Sequence, residues 1–398
     1  MRGRVLIAGG GPAGLCAAAA LARAGAEVTL CEAGKFGRPK LCGEFLSPDA
    51  EEALAAAGLA GLAERSGAPA IGAVRVTVAR RGRTAAEASA PIVPGGHGIA
   101  RADLDAALAR AARAAGANVR GRCRVESLDS DADGARARCG GARVAADVAI
   151  VATGRVPGVG GAARRPGQQW VAVKTHVRGV ALPGVTELHF VRGAYAGLNE
   201  VASGGERVVN VCALATRDAW ERAGASPDAF WELLARESPA FAERWRRARI
   251  VAGSEVAAAG FSFDTCAPAG KGPRPVLRVG DAAALIAPLA GDGQAMAAIG
   301  GVEVAAVLAR SLPRLHDARA VRDAAEEWDA LFRARFASRL LVGRALQSAL
   351  LRPVPAAWIV RAVAALRPIG PWVYRRTRGP LRAPRRSERA SASPSAST

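Results

Sequence analysis

The chain has 398 residues, half of them apolar, enough to bury one large domain or two intimate ones. Its seven cysteines form an odd set without a clean leader, which points to reduced thiols in the cytoplasm, and no apolar run reaches the ~18 residues of a membrane span. The net charge of +20 is carried almost wholly by arginine, and residues 330–398 hold fourteen Arg against one acid, Glu388, giving +13.

Residues 5–8 are a short apolar run of the kind a buried parallel strand shows. Gly9, Gly11 and Gly14 follow with G-x-G-x-x-G spacing, and Pro12 and Ala13 open an alanine-rich helix. The first glycine permits the turn, the second lets backbone approach a pyrophosphate, and the third lets helix pack closely on strand. Free N–H groups and the positive dipole end of that helix would face the phosphates. Residues 27–32 read as the next strand. Glu32 lies 18 residues after Gly14, where a ribose-binding carboxylate is expected, with Ala33 beside it. Arg2 and Arg4 before an apolar run imitate a secretory leader, but the placed glycines argue against export.

Residues 35–48 form a polar, glycine-bearing loop, followed by a helix over 48–57. Within the loop, Cys42 lies between Lys40 and Gly43. A thiol of lowered pKa and a small residue in a tight turn are both open readings. No partner cysteine stands at C-x-x-C spacing, so no dithiol centre is expected. Residues 74–78 alternate as a strand and 85–93 read as another. A helix opens over 98–108 with Arg101 at its entry, either a solvated arginine or a clamp on ribose or pyrophosphate. Residues 118–128, which include Val125, read as one strand, with a turn at 129–134 and a partner strand at 136–139. Residues 146–152 form a buried strand that runs into a small-residue turn at Gly154, suited to close approach of a ligand.

From Trp170 the period changes to two. Strands are expected at 170–177, 187–191, 208–214 and 253–263, with a helical interlude over 218–249 and Tyr195 inside the sheet. Residues 276–283 repeat the strand-to-turn signal. Asp281 ends that strand, where a carboxylate accepts hydrogen bonds from ligand hydroxyls. Pro288, Gly291 and Gly293 then lead into a helix of small residues ending near 312, and expose backbone N–H groups before it. Residues 319–351 are helical, 353–355 break the helix, 356–366 resume it, and the Ser/Ala/Arg-rich stretch from 382 is expected to be disordered.

The predicted fold is α/β. A Rossmann-like domain with a parallel sheet takes residues 1–165 and 265–312, and strands near 74–93 join an antiparallel β-sheet substrate domain at 166–264. A helical C-terminal region spans 313–381, before a tail at 382–398. The glycine turn, the Arg101 helix entry, the turn at Gly154 and the segment from Gly280 and Asp281 to Gly293 together resemble the flavoprotein hydroxylase superfamily, related to p-hydroxybenzoate hydroxylase and to geranylgeranyl reductases. That resemblance covers residues 3–310 and implies FAD. It implies pyrophosphate on the glycine turn, the adenosine ribose on Glu32, the cofactor secured by Arg101, and adenine against the Val125 backbone. It also places the ribityl or pyrophosphate portion on Asp281 and the isoalloxazine beside the Pro288–Gly293 loop.

The loop at Cys42 and Gly43 and the strand bearing Tyr195 lean toward the reductase-like branch, and these two side chains are the catalytic candidates. The expected activity is that of a monooxygenase using NAD(P)H and O2 on an apolar or aromatic metabolite. The alternatives are alkene reduction in a prenyl or lipid chain and electron carriage without turnover. No second dinucleotide fingerprint is present, so NAD(P)H is expected to dock transiently. His97, His176, His189 and His316 are scattered and read as structural, with His176 and His189 the candidates for a substrate pocket. No metal-ligand spacing occurs. The arginines among leucines and aromatics near the C-terminus (Arg344, Arg352, Arg361, Arg375, Arg376, Arg378) fit a peripheral membrane contact or a solvated basic helix pair. Nucleic acid is not expected, because no motif accompanies the charge.

Overall fold

The computed structural model describes residues 3–155, 159, 170–261, 263, 265 and 267–366. The tail at 382–398 and the residues around Trp372, Tyr374 and Arg375 lie outside that range.

Five strands form a wholly parallel sheet in the order Leu277–Arg278, Val148–Val151, Arg4–Ala8, Glu27–Cys31, Asn118–Arg120. Both faces are covered, as the apolar runs require. Val5 and Ile7 face the helices Pro12–Arg23, Arg101–Ala114 and Gly293–Ala309 in the largest apolar cluster. Leu6 and Ala8 face a small antiparallel sheet of Val125–Ser130, Ala135–Cys139 and Ala142–Ala146. The single strand expected over 118–128 is therefore two strands in two sheets. The chain turns between them at Arg122, whose φ of +54° no strand accommodates.

The second large sheet has nine strands, and eight of them run in the order Arg249–Ile250, Trp170–Arg178, Glu206–Thr216, Ala194–Ser203, Val185–Val191, Ala70–Arg80, Arg83–Gly98, Phe45–Leu46. Val256–Phe261 also pairs with Trp170–Arg178. The expectation of an antiparallel sheet is corrected at one ladder: Val185–Val191 runs parallel to Ala70–Arg80, because those segments are joined by a long crossover rather than a hairpin. The loop at 35–48 also contributes a short strand, with Phe45 opposite Gly98.

Three helices cover one face of this sheet: Arg217–Ala223, Pro227–Glu237 and Pro239–Trp245. Each begins at a Thr or Ser (Thr216, Ser226, Ser238) whose side chain accepts an N–H of the first turn, which is why the predicted interlude divides where it does.

The helix Ala318–Leu350 buries Trp328, Phe332 and Phe336 in the core of the first domain, and Trp328 Nε1 donates to the Arg278 carbonyl at 3.0 Å. The last helix is Pro353–Ala365. The expected break is present but falls at residues 351–352, and Pro353 opens the second helix, since proline lacks only an N–H that the first turn leaves unused.

Candidate functional site

The strand Arg4–Ala8 delivers Gly9 at φ +109°, and a Cβ there would lie 2.3 Å from the Ala152 carbonyl oxygen. Gly14 packs on that turn so closely that a Cβ would lie 2.0 Å from Gly9 O. Glu32 shapes the turn: its Oε2 accepts from Gly10 N at 2.7 Å and its Oε1 from Gly34 N at 3.1 Å. Burial raises the Glu32 pKa, but the Lys40 charge and these two N–H groups outweigh it and hold the carboxyl below its ordinary value.

Beside the turn, Arg101 grips Asp105 with two parallel hydrogen bonds of 2.9 Å, and Lys40 Nζ meets the same carboxylate at 2.9 Å. Asp105 is buried, which alone would raise its pKa. The Arg101 and Lys40 charges reverse that and keep it ionised. The Arg101 guanidinium lies 3.7 Å from where a Gly11 Cβ would stand, so turn and clamp border the same space.

That space is a cavity of about 500 Å³. It is lined by Gly9, Gly11, Pro12, Ala13, Glu32, Ala33, Cys42, Gly43, Arg101, Val125, Gly154, Tyr195, Asp281, Pro288, Gly291 and Gly293. These sequence-predicted residues come from eight separate stretches of chain. Gly14 does not line the cavity, and its place is the helix–strand contact. His176 and His189 do not line it either, which corrects their candidacy. His189 lies on the far face of the sheet, bonded to Thr77 at 2.8 Å and edge-on to Phe241. His176 points toward the cavity side, but Glu44 covers it.

Glu44 has no signal in the sequence, yet it ties the site together. It is buried at φ +55°. Its Oε1 accepts from Lys174 Nζ at 2.6 Å and from Arg101 N at 2.8 Å, and its Oε2 meets His176 Nε2 at 2.6 Å. Burial would raise its pKa. The His176 hydrogen bond and the Lys174 charge overcome that and hold the carboxyl below its ordinary value.

The Glu44 N–H donates to Cys42 Sγ at 3.3 Å, and Gln294 Nε2 approaches the same sulfur at 3.4 Å. Asn210 Nδ2 donates to the carbonyls of Cys42 (3.3 Å) and Gly43 (2.9 Å). The Cys42 loop is thus clamped from the sheet, from the Arg101 helix and from the helix Gly293–Ala309.

The far end of the cavity is apolar, walled by Leu214, Leu285, Phe261 and Phe263. Tyr195 stacks on Phe190 there, with ring centroids 5.1 Å apart. Burial raises the Tyr195 pKa well above its ordinary value and pushes the nearby Cys212 thiol up to about 12.

An elongated dinucleotide fits these residues. The turn and Arg101 offer an anion site, and Gln294 Oε1, on the cavity wall, is buried with no hydrogen-bond partner among the described residues. Among those residues no group of three or more His, Cys, Asp or Glu is placed to hold a metal ion.

Comparison with known proteins agrees with this geometry. Residues 2–160 match the family described as FAD binding domain. A 59-residue stretch is 46% identical to a menaquinone reductase of Mycolicibacterium smegmatis, and it covers 15% of this chain and only 14% of that relative. The fold is similar to that of a flavin-dependent brominase (TM-score 0.72, 19% identity, 94% of this chain and 93% of that one). It is also similar to a geranylgeranyl bacteriochlorophyll reductase-like protein of Thermoplasma acidophilum (TM-score 0.69, 20% identity, 91% and 92% covered). A third similar structure is a myxobacterial chondrochloren halogenase (TM-score 0.68, 20% identity, 86% and 82% covered).

Proposed function

We propose that this chain, an FAD-dependent oxidoreductase with its FAD binding domain over residues 2–160, reduces a carbon–carbon double bond in an apolar, isoprenoid-like substrate. The observation that carries the reading is the chemistry at the apolar end of the cavity. Tyr195 and Cys212 are both held protonated by burial, and the Arg155 guanidinium lies over the Phe261 ring at 5.2 Å, so this end of the pocket presents proton donors to a substrate. Removing the proton of a phenol, as hydroxylation of an aromatic ring asks, finds no acceptor among them. The local likeness to a menaquinone reductase supports an isoprenoid-bearing substrate.

The division of labour follows from the cavity. The glycine turn, Glu32 and Arg101 hold the dinucleotide end, and Asp281 with the Pro288–Gly293 segment borders the middle. When bound, FAD supplies the hydride, drawn in turn from NAD(P)H docking transiently. The N-terminus of the helix Gly293–Ala309 favours negative charge beside it. Leu214, Leu285, Phe261 and Phe263 exclude water and orient the chain, and the Tyr195 hydroxyl delivers the proton.

Anaerobic incubation with NADPH and a polyprenyl alkene tests this. The product should gain two hydrogens per bond reduced, read by mass spectrometry. A reaction that stops without O2 and inserts oxygen overturns it. That result belongs to the second reading, oxygenation of an aromatic metabolite, which the Phe261–Phe263 and Trp170–Phe263 edge-on pairs support as a wall for a flat ring.

A further inference from the structure

We propose that the outer face of the bent C-terminal helix pair docks on an anionic lipid bilayer. The helices Ala318–Leu350 and Pro353–Ala365 meet at 113°. The inner face of the second helix buries Ala356, Ala357 and Val360 in the apolar cluster that also holds Tyr195, Phe261 and Leu285. The second helix therefore packs on the cluster that also supplies Tyr195, Phe261 and Leu285 to the cavity wall, with its other side turned outward.

The outer face of the pair is unusual for water. Among the described residues, six large hydrophobic side chains are exposed, and four belong to this pair: Leu341 (72%), Val354 (49%), Trp358 (68%) and Leu366 (54%). Val354, Trp358, Ala362 and Ala365 follow helical spacing along one side. Isolated exposed apolar residues need no explanation, but a continuous stripe does.

Charge selects the occupant. Residues 330–366 carry six arginines and no Asp, Glu or Lys; Arg333, Arg335 and Arg339 are ion-paired with Asp329, Glu303, Asp49 and Asp292, while Arg352 and Arg361 are exposed on either side of Trp358. The sequence continues with eight more arginines against Glu388. Aliphatic Leu and Val beside Trp and Arg match acyl chains, headgroup level and anionic phosphates in that order. Nucleic acid would match the arginines and leave the aliphatic stripe wet. No single described helix is long and apolar enough to cross a bilayer; the two reach that length and apolarity only together, across a bend of 113°, and the burial of Ala356, Ala357 and Val360 against the protein keeps one side of the second helix out of lipid, which favours the surface. The docking stands on these surface residues and not on the reductive chemistry.

Co-sedimentation of the full-length holoprotein tests it, using vesicles of phosphatidylcholine alone and of two parts phosphatidylcholine to one part phosphatidylglycerol. The protein should pellet with the mixed vesicles and not with the neutral ones. The triple variant Trp358→Ser/Arg352→Glu/Arg361→Glu should bind at least roughly 25-fold more weakly, since it removes two arginines and each is worth about fivefold at such a surface. Because Arg361 Nη2 also donates to the Ala85 carbonyl, the single variant Trp358→Ser serves as the fold-neutral control and should weaken binding by itself. FAD content, read by absorbance, should be unchanged in both, so a failure of cofactor binding is seen separately. Equal binding of all three proteins overturns the proposal. So does a dimer in light scattering that Trp358→Ser dissociates, which would make a second copy the occupant.

Discussion

Replacing Glu44 with Gln keeps the shape of the side chain and removes its charge. Lys174 Nζ, 2.6 Å away and wholly inaccessible to solvent, then has no counter-charge, and His176 loses its acceptor. Breaking a buried ion pair from one side costs ~3–5 kcal/mol, because the remaining charge keeps its desolvation cost. Glu44→Gln should therefore lower stability by that amount in urea denaturation at neutral pH. The double variant Glu44→Gln/Lys174→Met removes the stranded charge and should recover ~1–4 kcal/mol of it.

The pH dependence has a definite sign. Since the folded-state pKa of Glu44 is depressed, its contribution is complete above the unfolded value of about 4.3 and drains away as pH falls through the lower folded value. The gap between wild type and Glu44→Gln should narrow below about pH 4. A loss under about 1 kcal/mol, or a double variant no more stable than the single, would refute the assignment of an ionised Lys174–Glu44 pair.

Other outcomes follow from the same geometry. Gly301→Ala puts a Cβ 2.2 Å from the Ala13 carbonyl, so the helices Pro12–Arg23 and Gly293–Ala309 must separate. The expected cost is about 1–3 kcal/mol together with loss of bound flavin, checked by denaturation and absorbance. Arg101→Lys loses the two-pronged hold on Asp105, and the FAD dissociation constant should rise about tenfold in fluorescence titration. Tyr195→Phe keeps the Phe190 stack and deletes the hydroxyl, so kcat should fall about 100-fold with KM little changed. Arg244→Met leaves Glu187 with only Arg75 and His189; its pKa of about 2 is set by burial, which raises it, against the stronger pull of His189 and Arg244. The acid unfolding midpoint should shift to higher pH, because stability held by a depressed carboxylate is then lost sooner as pH falls.

What could be read in the sequence is what local chemistry dictates. Gly9, Gly11 and Gly14 announce themselves because each answers a steric demand of one short turn, and Asp281 with Gly291 and Gly293 repeats that kind of signal. The alternation after Trp170 marks a sheet because side chains on a strand face opposite ways. Glu44 is silent, since its partners are the main chain of Arg101 and the side chains of Lys174 and His176, and nothing near it in sequence foretells them. The parallel ladder between Val185–Val191 and Ala70–Arg80 is hidden for the same reason: strand pairing across a hundred residues leaves no periodic trace. The structural reading of His176 holds, but alternation gives only its side of the strand, while the Glu44 loop laid over that side is a tertiary fact.

The first domain is closed by late arrivals. Its parallel sheet ends on Leu277–Arg278, and the helix against Pro12–Arg23 is Gly293–Ala309, with the Ala13 carbonyl seated where Gly301 has no side chain. A polypeptide still on the ribosome with only its first 160 residues released has the glycine turn but not the wall behind it. Cofactor capture therefore waits for nearly complete synthesis, and an amino-terminal fragment cut at the boundary of the family match should emerge colourless.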